Sequence, residues 1–370
     1  MFNMKVNQFQ PYIGQEEYEA IKPCFDNNWI TEGKKCQEFA GSLLDLTGAK
    51  HGVFAQNGTL ALYLALRAIG VKPHDEVIVP NFTFIASANA VEMCGAVPVF
   101  VDINEEDLQI NVEDCERVLT KKTKAIMPVH IFGMCANMDE VMSFAKDNNL
   151  KVVEDAAQGI EITWDGKHSG TFGDAGCFSF FADKTITIGE GGFVVTNDEQ
   201  VYENMLYLRN QGRINRGSFI HPEIGYNFRI TDIQAAIGLV QMSKLNEIVE
   251  KKKTILKLYK EGLADLNGIR VVEPPKNSKS NHIPFRVVIM SEKGAEGLAS
   301  HFSENEIETR SVFYPLHKQP CYQKKSINKD EDFKVSLKAY ELGLCLPSYP
   351  ALEENKINFI CDTIKKYLLK

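Results

Sequence analysis

The chain has 370 residues, 44% of them hydrophobic and 24% charged, and its 49 acidic side chains outnumber 41 basic ones to leave a net charge of −8. That length and apolar content suffice for one large core and a smaller one and exclude a disordered or collagen-like chain, while the acidic balance excludes the broad basic face of a nucleic-acid binder. No apolar run approaches the roughly 18 residues that span a bilayer, and the opening MFNMKVNQFQ has neither the charged nor the apolar block of a secretion signal, so a cytoplasmic protein with no nucleic-acid or membrane partner is expected.

From about residue 50 to 200, apolar runs of four to seven residues alternate with segments of helical spacing. This is the rhythm of a doubly wound α/β layer around a mostly parallel sheet. In AQNGTLALYLAL, Asn57, Gly58 and Thr59 precede an amphipathic helix, where backbone amides and a hydroxyl make an anion site; the same triplet also serves as a plain helix cap. The strand EVIVP runs into PNFTFIASANA, which sets Phe82 and Phe84 either to stack on a planar ligand or to fill core. Strands VPVFVDI and AIMPVH follow. The helices TLALYLALRAIG and IASANAVEMCG end in Gly, a common helix stop, and NMDEVMSFAKDNN is a third.

KVVEDAAQ reads as an apolar strand ending in adjacent acids, with Asp155 at the strand end. GDAGCFSFFADKTITIGEGGFVVTND is the most informative segment: a strand, a polar turn carrying Lys184, a cluster of Gly189, Gly191 and Gly192, and a second strand. A lysine at a strand end lies where α/β proteins build sites, and its amine is a nucleophile only when deprotonated, which burial promotes. The glycines would let backbone pass close to a flat ring or take up φ values that other residues avoid. A hairpin with an exposed lysine is the plain alternative. Asp155 lies 29 residues before Lys184 (184 − 155), a spacing that suits neighbouring strands of one sheet.

After Asp232, DIQAAIGLVQMSKLNEIVEKKKTILKLYKEGLADL repeats apolar residues at three and four with no breaker except Gly238, which predicts one long helix bridging two units. Beyond it GIRVVEP, HIPFRVVIM, an amphipathic stretch from Gly294 to Asn305 and TRSVFYPLH predict a smaller α/β unit, closed by a helix from Glu353 to Leu369. The boundary falls between a large unit at 1–245 and a small one at 246–370. Nine scattered cysteines without a CxxC pair are expected to be reduced, with no metal site.

Taken in order, NGT, PNFTFIASANAVEMCGAVPVFVDI, EDAAQ, FSFFADKTITIGEGGFVVTND, GYNFRITDIQAAIGLVQ and FYPLHKQP resemble the DegT/DnrJ/EryC1/StrS family over nearly the whole chain. These are nucleotide-sugar aminotransferases that use pyridoxal 5′-phosphate (PLP). The resemblance implies an aspartate aminotransferase-like α/β fold (PLP fold type I), with a large domain around a mostly parallel sheet and a smaller C-terminal α/β domain. It implies that Lys184 carries PLP as a Schiff base, that Asp155 pairs with the pyridine nitrogen, that Gln158 lies beside the phenolic oxygen and that Phe84 stacks on the ring. Gly58, Thr59 and Ser179 would bind the phosphate. Asn227 in GYNFR is similar to the family asparagine that reaches the neighbouring subunit's phosphate, which implies a homodimer with shared sites. Trp29 and Thr31 in NNWITEG, His130 in PVHIFG, Arg229 in NFRITD, and Tyr314 and His317 in FYPLH are candidates for holding the sugar or the donor carboxylate.

Within the family, NNWITEG, KTITIGEGG and FYPLHKQP look most like the GDP-perosamine synthases. That implies amination at C4 of GDP-4-keto-6-deoxymannose, with L-glutamate leaving as 2-oxoglutarate. Gln158 stands where those enzymes carry Glu, and Ile220 precedes His221 where they have an aromatic residue. Gln158 is shared with enzymes of UDP- and dTDP-linked ketosugars, so C4 or C3 amination of another nucleotide sugar stays open. A non-catalytic regulatory protein of the same fold is a second alternative, unsupported by any basic segment. A related dehydratase would lack Lys184, and a nicotinamide oxidoreductase would need GxGxxG after the first strand.

Overall fold

A computed structural model describes residues 5–213, 217, 219–323 and 329–369. Its large sheet is built from β1 (His51–Ala55), β2 (Glu76–Pro80), β3 (Val97–Val101), β4 (Thr123–Ile126) and β5 (Lys151–Asp155) and, after a hairpin of β6 (Thr163–Trp164) and β7 (Lys167–His168), from β8 (Ala175–Ser179) and β9 (Gly192–Thr196). The spatial order is β1-β9-β8-β5-β4-β2-β3, parallel throughout except for β9, which is antiparallel to both neighbours. The reason lies in the β8–β9 connection, which carries no helix. A parallel return needs a crossover of a dozen or more residues, usually a helix.

The helices are α1 (Gln15–Asp26), α2 (Lys34–Thr47), α3 (Gly58–Ala68), α4 (Ala86–Met93), α5 (Val112–Val118), α6 (Met138–Asp147), α7 (Glu199–Arg209), α8 (Asp232–Ser243), α9 (Leu245–Leu263), α10 (Ala295–Glu304), α11 (Pro320–Gln323), α12 (Lys334–Leu342) and α13 (Glu354–Leu368). Two apolar layers cover the sheet. Period-two alternation divides β2 between them: Ile78 packs with Phe39, Phe54 and Phe180 on one side, Val77 and Val79 with Leu62, Leu66 and Met205 on the other. Gly70 and Gly95, the glycines that end α3 and α4, adopt φ of 91° and 72°, the left-handed conformation of a helix stop.

The single long helix expected after Asp232 is two helices. The break falls at Lys244 (φ −92°, ψ −3°), whose ammonium reaches Glu16 at 2.6 Å and Glu17 at 2.8 Å on α1. Gly238 does not interrupt α8; a Cβ there would lie 2.6 Å from the Phe39 ring, so glycine lets α2 and α8 approach. Beyond α9, β10 (Ile269–Val271), β11 (Val287–Ser291), β12 (Arg310–Ser311) and β13 (Gly343–Leu346) form an antiparallel sheet in the order β10-β11-β13-β12. Its core joins Tyr259, Phe302, Ile357 and Ile360 to Val6, which bridges to Ile307, so the N-terminal segment also packs on this smaller sheet. All nine cysteines are free thiols, eight of them buried and Cys321 exposed. Among the described residues no helix is long and apolar enough to cross a membrane.

Candidate active site

The C-terminal ends of β1, β5 and β8 converge at one edge of the large sheet. The start of antiparallel β9 lies between two of them, with Gly192 opposite both Ala55 and Ser179, and Asp155 registers with Cys177 across the parallel β5–β8 pair. This is where open α/β sheets bind ligands.

β5 sorts its adjacent acids by alternation. Glu154 points into the interior and is fully buried, accepting from the Gly170, Phe172 and Gly173 amides at 2.7–2.8 Å and facing His130 Nε2 at 2.9 Å. Asp155 points to the sheet edge. Its Oδ2 accepts from Ser87 Oγ at 2.7 Å and its Oδ1 from the Ala157 N–H at 3.1 Å. Burial pushes this carboxyl up from its ordinary range, against the pull of Ser87, Ala157 and Lys184. A desolvated acid with two neutral donors and room for a cation suits a protonated ring nitrogen.

Lys184 lies five residues past the end of β8 in a turn closed by its own N–H to the Phe181 carbonyl (2.9 Å). Its side chain is 15% exposed, with Nζ 4.4 Å from the Phe285 ring centroid and 3.9 Å from Asp183 Oδ1. Burial lowers its pKa; Asp183 and Asp155 oppose that, and Arg286 and Arg310 add to it. The amine is thus biased toward the neutral, nucleophilic form.

The start of α3 makes a second feature of this edge. Asn57 caps α3 by accepting from the Leu60 N–H at 3.0 Å, and the first amides of the helix, Gly58 and Thr59, have no carbonyl one turn behind them. A Cβ on Gly58 would lie 2.9 Å from Ser179 Cβ and 3.2 Å from its Oγ. The helix start and the serine therefore touch, leaving two amides and two hydroxyls for one anion. Gly192 makes this possible: a Cβ there would stand 2.3 Å from the Asn57 carbonyl oxygen. Gly191 in turn clears Ile188, and Gly189 adopts φ 82° over open space. Of the cluster, Gly189 takes up a φ that other residues avoid, and Gly192 seats α3.

Gln158 is buried, and its Oε1 accepts from the Phe132 N–H at 2.6 Å. That bond fixes the amide, so its NH2 is the end left to donate. Phe84 is 59% exposed and 6.3 Å from Phe313, which stacks on Phe132 at 5.5 Å.

The remaining candidates divide. His130 does not reach the site: it is completely buried, its Nδ1 accepts from the Ala136 N–H at 3.2 Å and its Nε2 faces Glu154, so its role is to hold the interior. His317 is also buried, against Phe333, with hydrogen-bond contacts to Asn81 and Asp330, and burial lowers its pKa despite that acid. Tyr314 is exposed and packs edge-on to Tyr340. Trp29, exposed, lines one cleft with Glu32, Gly33, Lys35 and Arg209, and Arg229 lines another with Glu32, Arg209 and Asn210. Thr31 is exposed beside Trp29 and accepts from the Asp232 N–H. Asn227 is exposed and bridges to Asn210. Sequence reasoning missed Ser87, Asp183, Phe285 and Arg286, whose places depend on which elements fold over Lys184.

A lysine biased to the free amine, a buried acid and an anion cradle at one sheet edge fit PLP. The DegT/DnrJ/EryC1/StrS aminotransferase family matches residues 11–365. The chain is 38% identical to a GDP-perosamine synthase of Escherichia coli O157:H7 over 364 residues, 97% of each chain. It is 34% identical to a UDP-N-acetyl-3-dehydro-alpha-D-glucosamine 3-aminotransferase of Acidithiobacillus ferrooxidans over 365 residues, 96% of this chain and 95% of the other. Spr1654 of Streptococcus pneumoniae, whose structure is known in a PMP form and a PLP form, superimposes with TM-scores of 0.93 and 0.92 at 25% identity, covering 99% of this chain and 98–99% of the other. Fold, site and kinship agree: the chain belongs to the DegT/DnrJ/EryC1/StrS family and is a PLP-dependent aminotransferase.

Proposed function

We propose that this enzyme moves the amino group of L-glutamate onto C4 of a nucleotide-linked 4-keto-6-deoxy sugar, turning GDP-4-keto-6-deoxymannose into GDP-perosamine. The observation that carries the reading is a buried Lys184 amine whose pKa feels the Asp155 carboxylate at the end of β5, with the Gly58–Ser179 contact at the end of the neighbouring β8. The identity to a GDP-perosamine synthase supports the choice of sugar.

Bound PLP supplies an electron sink for the charge left on carbon when a proton is removed. Lys184 Nζ takes that proton from the donor's α-carbon and returns one later, serving as base and then acid in each half of the exchange. Asp155, fixed by Ser87 and the Ala157 amide, holds the ring nitrogen in its protonated form. The Gln158 amide, oriented by the Phe132 N–H, would donate to the phenolic oxygen, and the exposed Phe84 would cover the ring. Gly58, Thr59 and Ser179 anchor the phosphate. The exposed Asn227 fits a contact to the phosphate of a second copy, so the working form is a homodimer. Trp29, Thr31, Arg229 and Tyr314, all accessible, are the contacts assigned to sugar or donor. Residues 1–245 act as the cofactor-binding unit and 246–370 as the smaller unit, in a cytoplasmic enzyme.

A second reading, C3 or C4 amination of a UDP- or dTDP-linked ketosugar, is favoured by Gln158 and by the 34% identity to a UDP-sugar 3-aminotransferase. The test is a panel of GDP-, UDP- and dTDP-4-keto-6-deoxy sugars with glutamate, the products weighed by mass spectrometry. Amination of the GDP sugar is expected. If it is ignored while a UDP or dTDP sugar is aminated, the second reading replaces the first.

A further inference from the structure

A second acid stands beside Lys184. The Asp183 side chain is 8% exposed, and its two oxygens have different neighbours. Oδ2 accepts from Nη2 of Arg286, itself 6% exposed, with Arg310 Nη1 3.8 Å away. Oδ1 has no hydrogen-bond partner among the described residues and lies 3.9 Å from Lys184 Nζ. A buried carboxylate oxygen without a donor is costly, and a small swing of the lysine would satisfy it. Arg286 reaches this point from the residue just before β11, where its guanidinium lies 4.9 Å from the same Phe285 ring that faces Lys184 Nζ. Its Nη1 also lacks a partner, so the Asp183 carboxylate is what the guanidinium grips. Lys252 on α9 fixes the backbone between them by donating to the Pro284 and Phe285 carbonyls at 3.1 and 3.4 Å.

We propose that Asp183, gripped by Arg286, is a positioning residue for transamination: it holds the Lys184 amine whenever that amine is free and steadies the ammonium it becomes on taking up a proton. This rests on the reading of Lys184 as proton carrier. The two charges balance one another. The carboxylate alone would keep the amine as ammonium, with no free lone pair to take a proton; the arginine alone would expel the proton before it could be delivered. The charged groups facing Nζ are Asp183 on its own turn, Asp155 at the end of β5, Arg286 ahead of β11 and Arg310 on β12, with Lys252 of α9 behind them.

The plain alternative is that Asp183 and Arg286 merely tie the small sheet to the lysine turn. Both Asp183→Asn and Arg286→Gln break that tie, so a structural role gives both variants an effect of one sign. The positioning role gives opposite signs. The full chain without added cofactor is acetylated with dilute acetic anhydride across a pH series, and the extent at Lys184 is read by peptide mass spectrometry. Against the unaltered chain, Asp183→Asn should move the midpoint down by roughly one unit and Arg286→Gln should move it up. In the PLP-loaded enzyme the acid limb of kcat for the glutamate half should shift in the same two directions, with KM for glutamate little changed. Asp183→Ser and Arg286→Met carry the same signs and take their place if a first variant does not fold. Shifts of one sign, or none, overturn the proposal. If the unaltered chain still gives a borohydride-fixed PLP adduct at Lys184, the functional reading survives that failure; if it gives none, both fall.

Discussion

Lys184 stands 33 positions after the start of β5 (184 − 151), and what sets it apart is its surroundings. Burial against Phe285 lowers its pKa, and two acids and two arginines then tune the amine. Replacing it by Ala removes a solvent-distant amine that makes no hydrogen bond essential to the fold, so Lys184→Ala should fold normally by circular dichroism. It should lose at least the 10²–10⁴-fold that a general acid–base contributes, and the aldehyde absorbance band of bound PLP should no longer be fixed by borohydride. Normal turnover in this variant would remove the basis of the mechanism. The adjacent acids of EDAAQ teach the complementary lesson. Sequence alone marks both, but strand alternation sends Asp155 to the site and Glu154 to an interior knot with His130. His130, one of the candidates for the sugar or the donor carboxylate, is fully buried, and that burial could not be read from PVHIFG.

At the scale of elements, the site depends on how closely α3 sits against the mouth of β8 and β9. The Asn57 carbonyl passes so near Gly192 that any side chain there collides with backbone rather than with a movable group. Gly192→Ala should therefore push the start of α3 away from Ser179, costing about 1–3 kcal/mol by urea unfolding and weakening PLP binding several-fold in an absorbance titration. An unchanged PLP affinity would mean that the cradle does not hold the phosphate. The strands and the α3, α4 and α6 helices were legible because their apolar periods are regular. β1 and β13 were not among the predicted strands: HGVFA and GLCL are short and carry glycine, and they become strands by pairing with β9 and β11. The α8–α9 break was hidden for the opposite reason, since the apolar period runs unbroken through Lys244 and the bend comes from contact with α1.

For the molecule as a whole, that bend ties the N-terminal helix to the junction between the two sheets. Glu17, buried, accepts from Lys244 Nζ, Gln241 Nε2 and the Gly14 N–H. Burial pushes its carboxyl up, but these donors outweigh it and hold the pKa below 4.5. The ion pair therefore adds stability above the unfolded-state pKa of Glu17 and loses it as pH falls through the lower folded value. Lys244→Ala leaves this buried carboxylate short of its cation and should cost about 1–3 kcal/mol near pH 7, measured by chemical denaturation. The deficit should shrink as pH falls through the lowered folded value of Glu17, once the carboxyl is protonated in both proteins; a deficit independent of pH would show that packing, not charge, is at work. Lys244 itself is raised by the same acids, so its share of the stability persists until strongly alkaline pH.

The sequence by itself determined the alternating α/β order, which follows from local periodicity, and the family and its cofactor, which follow from motifs strung in order along the chain; it also marked the lysine, the acid and the anion-site residues as candidates. Only the tertiary structure decided that Glu154 joins His130 in the interior, that His317 is buried, that β9 runs against its neighbours, and that Asp183 and Arg286 lie beside Lys184. These depend on contacts between residues far apart in sequence, 103 positions for Asp183 and Arg286 and 236 for His317 and Asn81, and no local pattern encodes them.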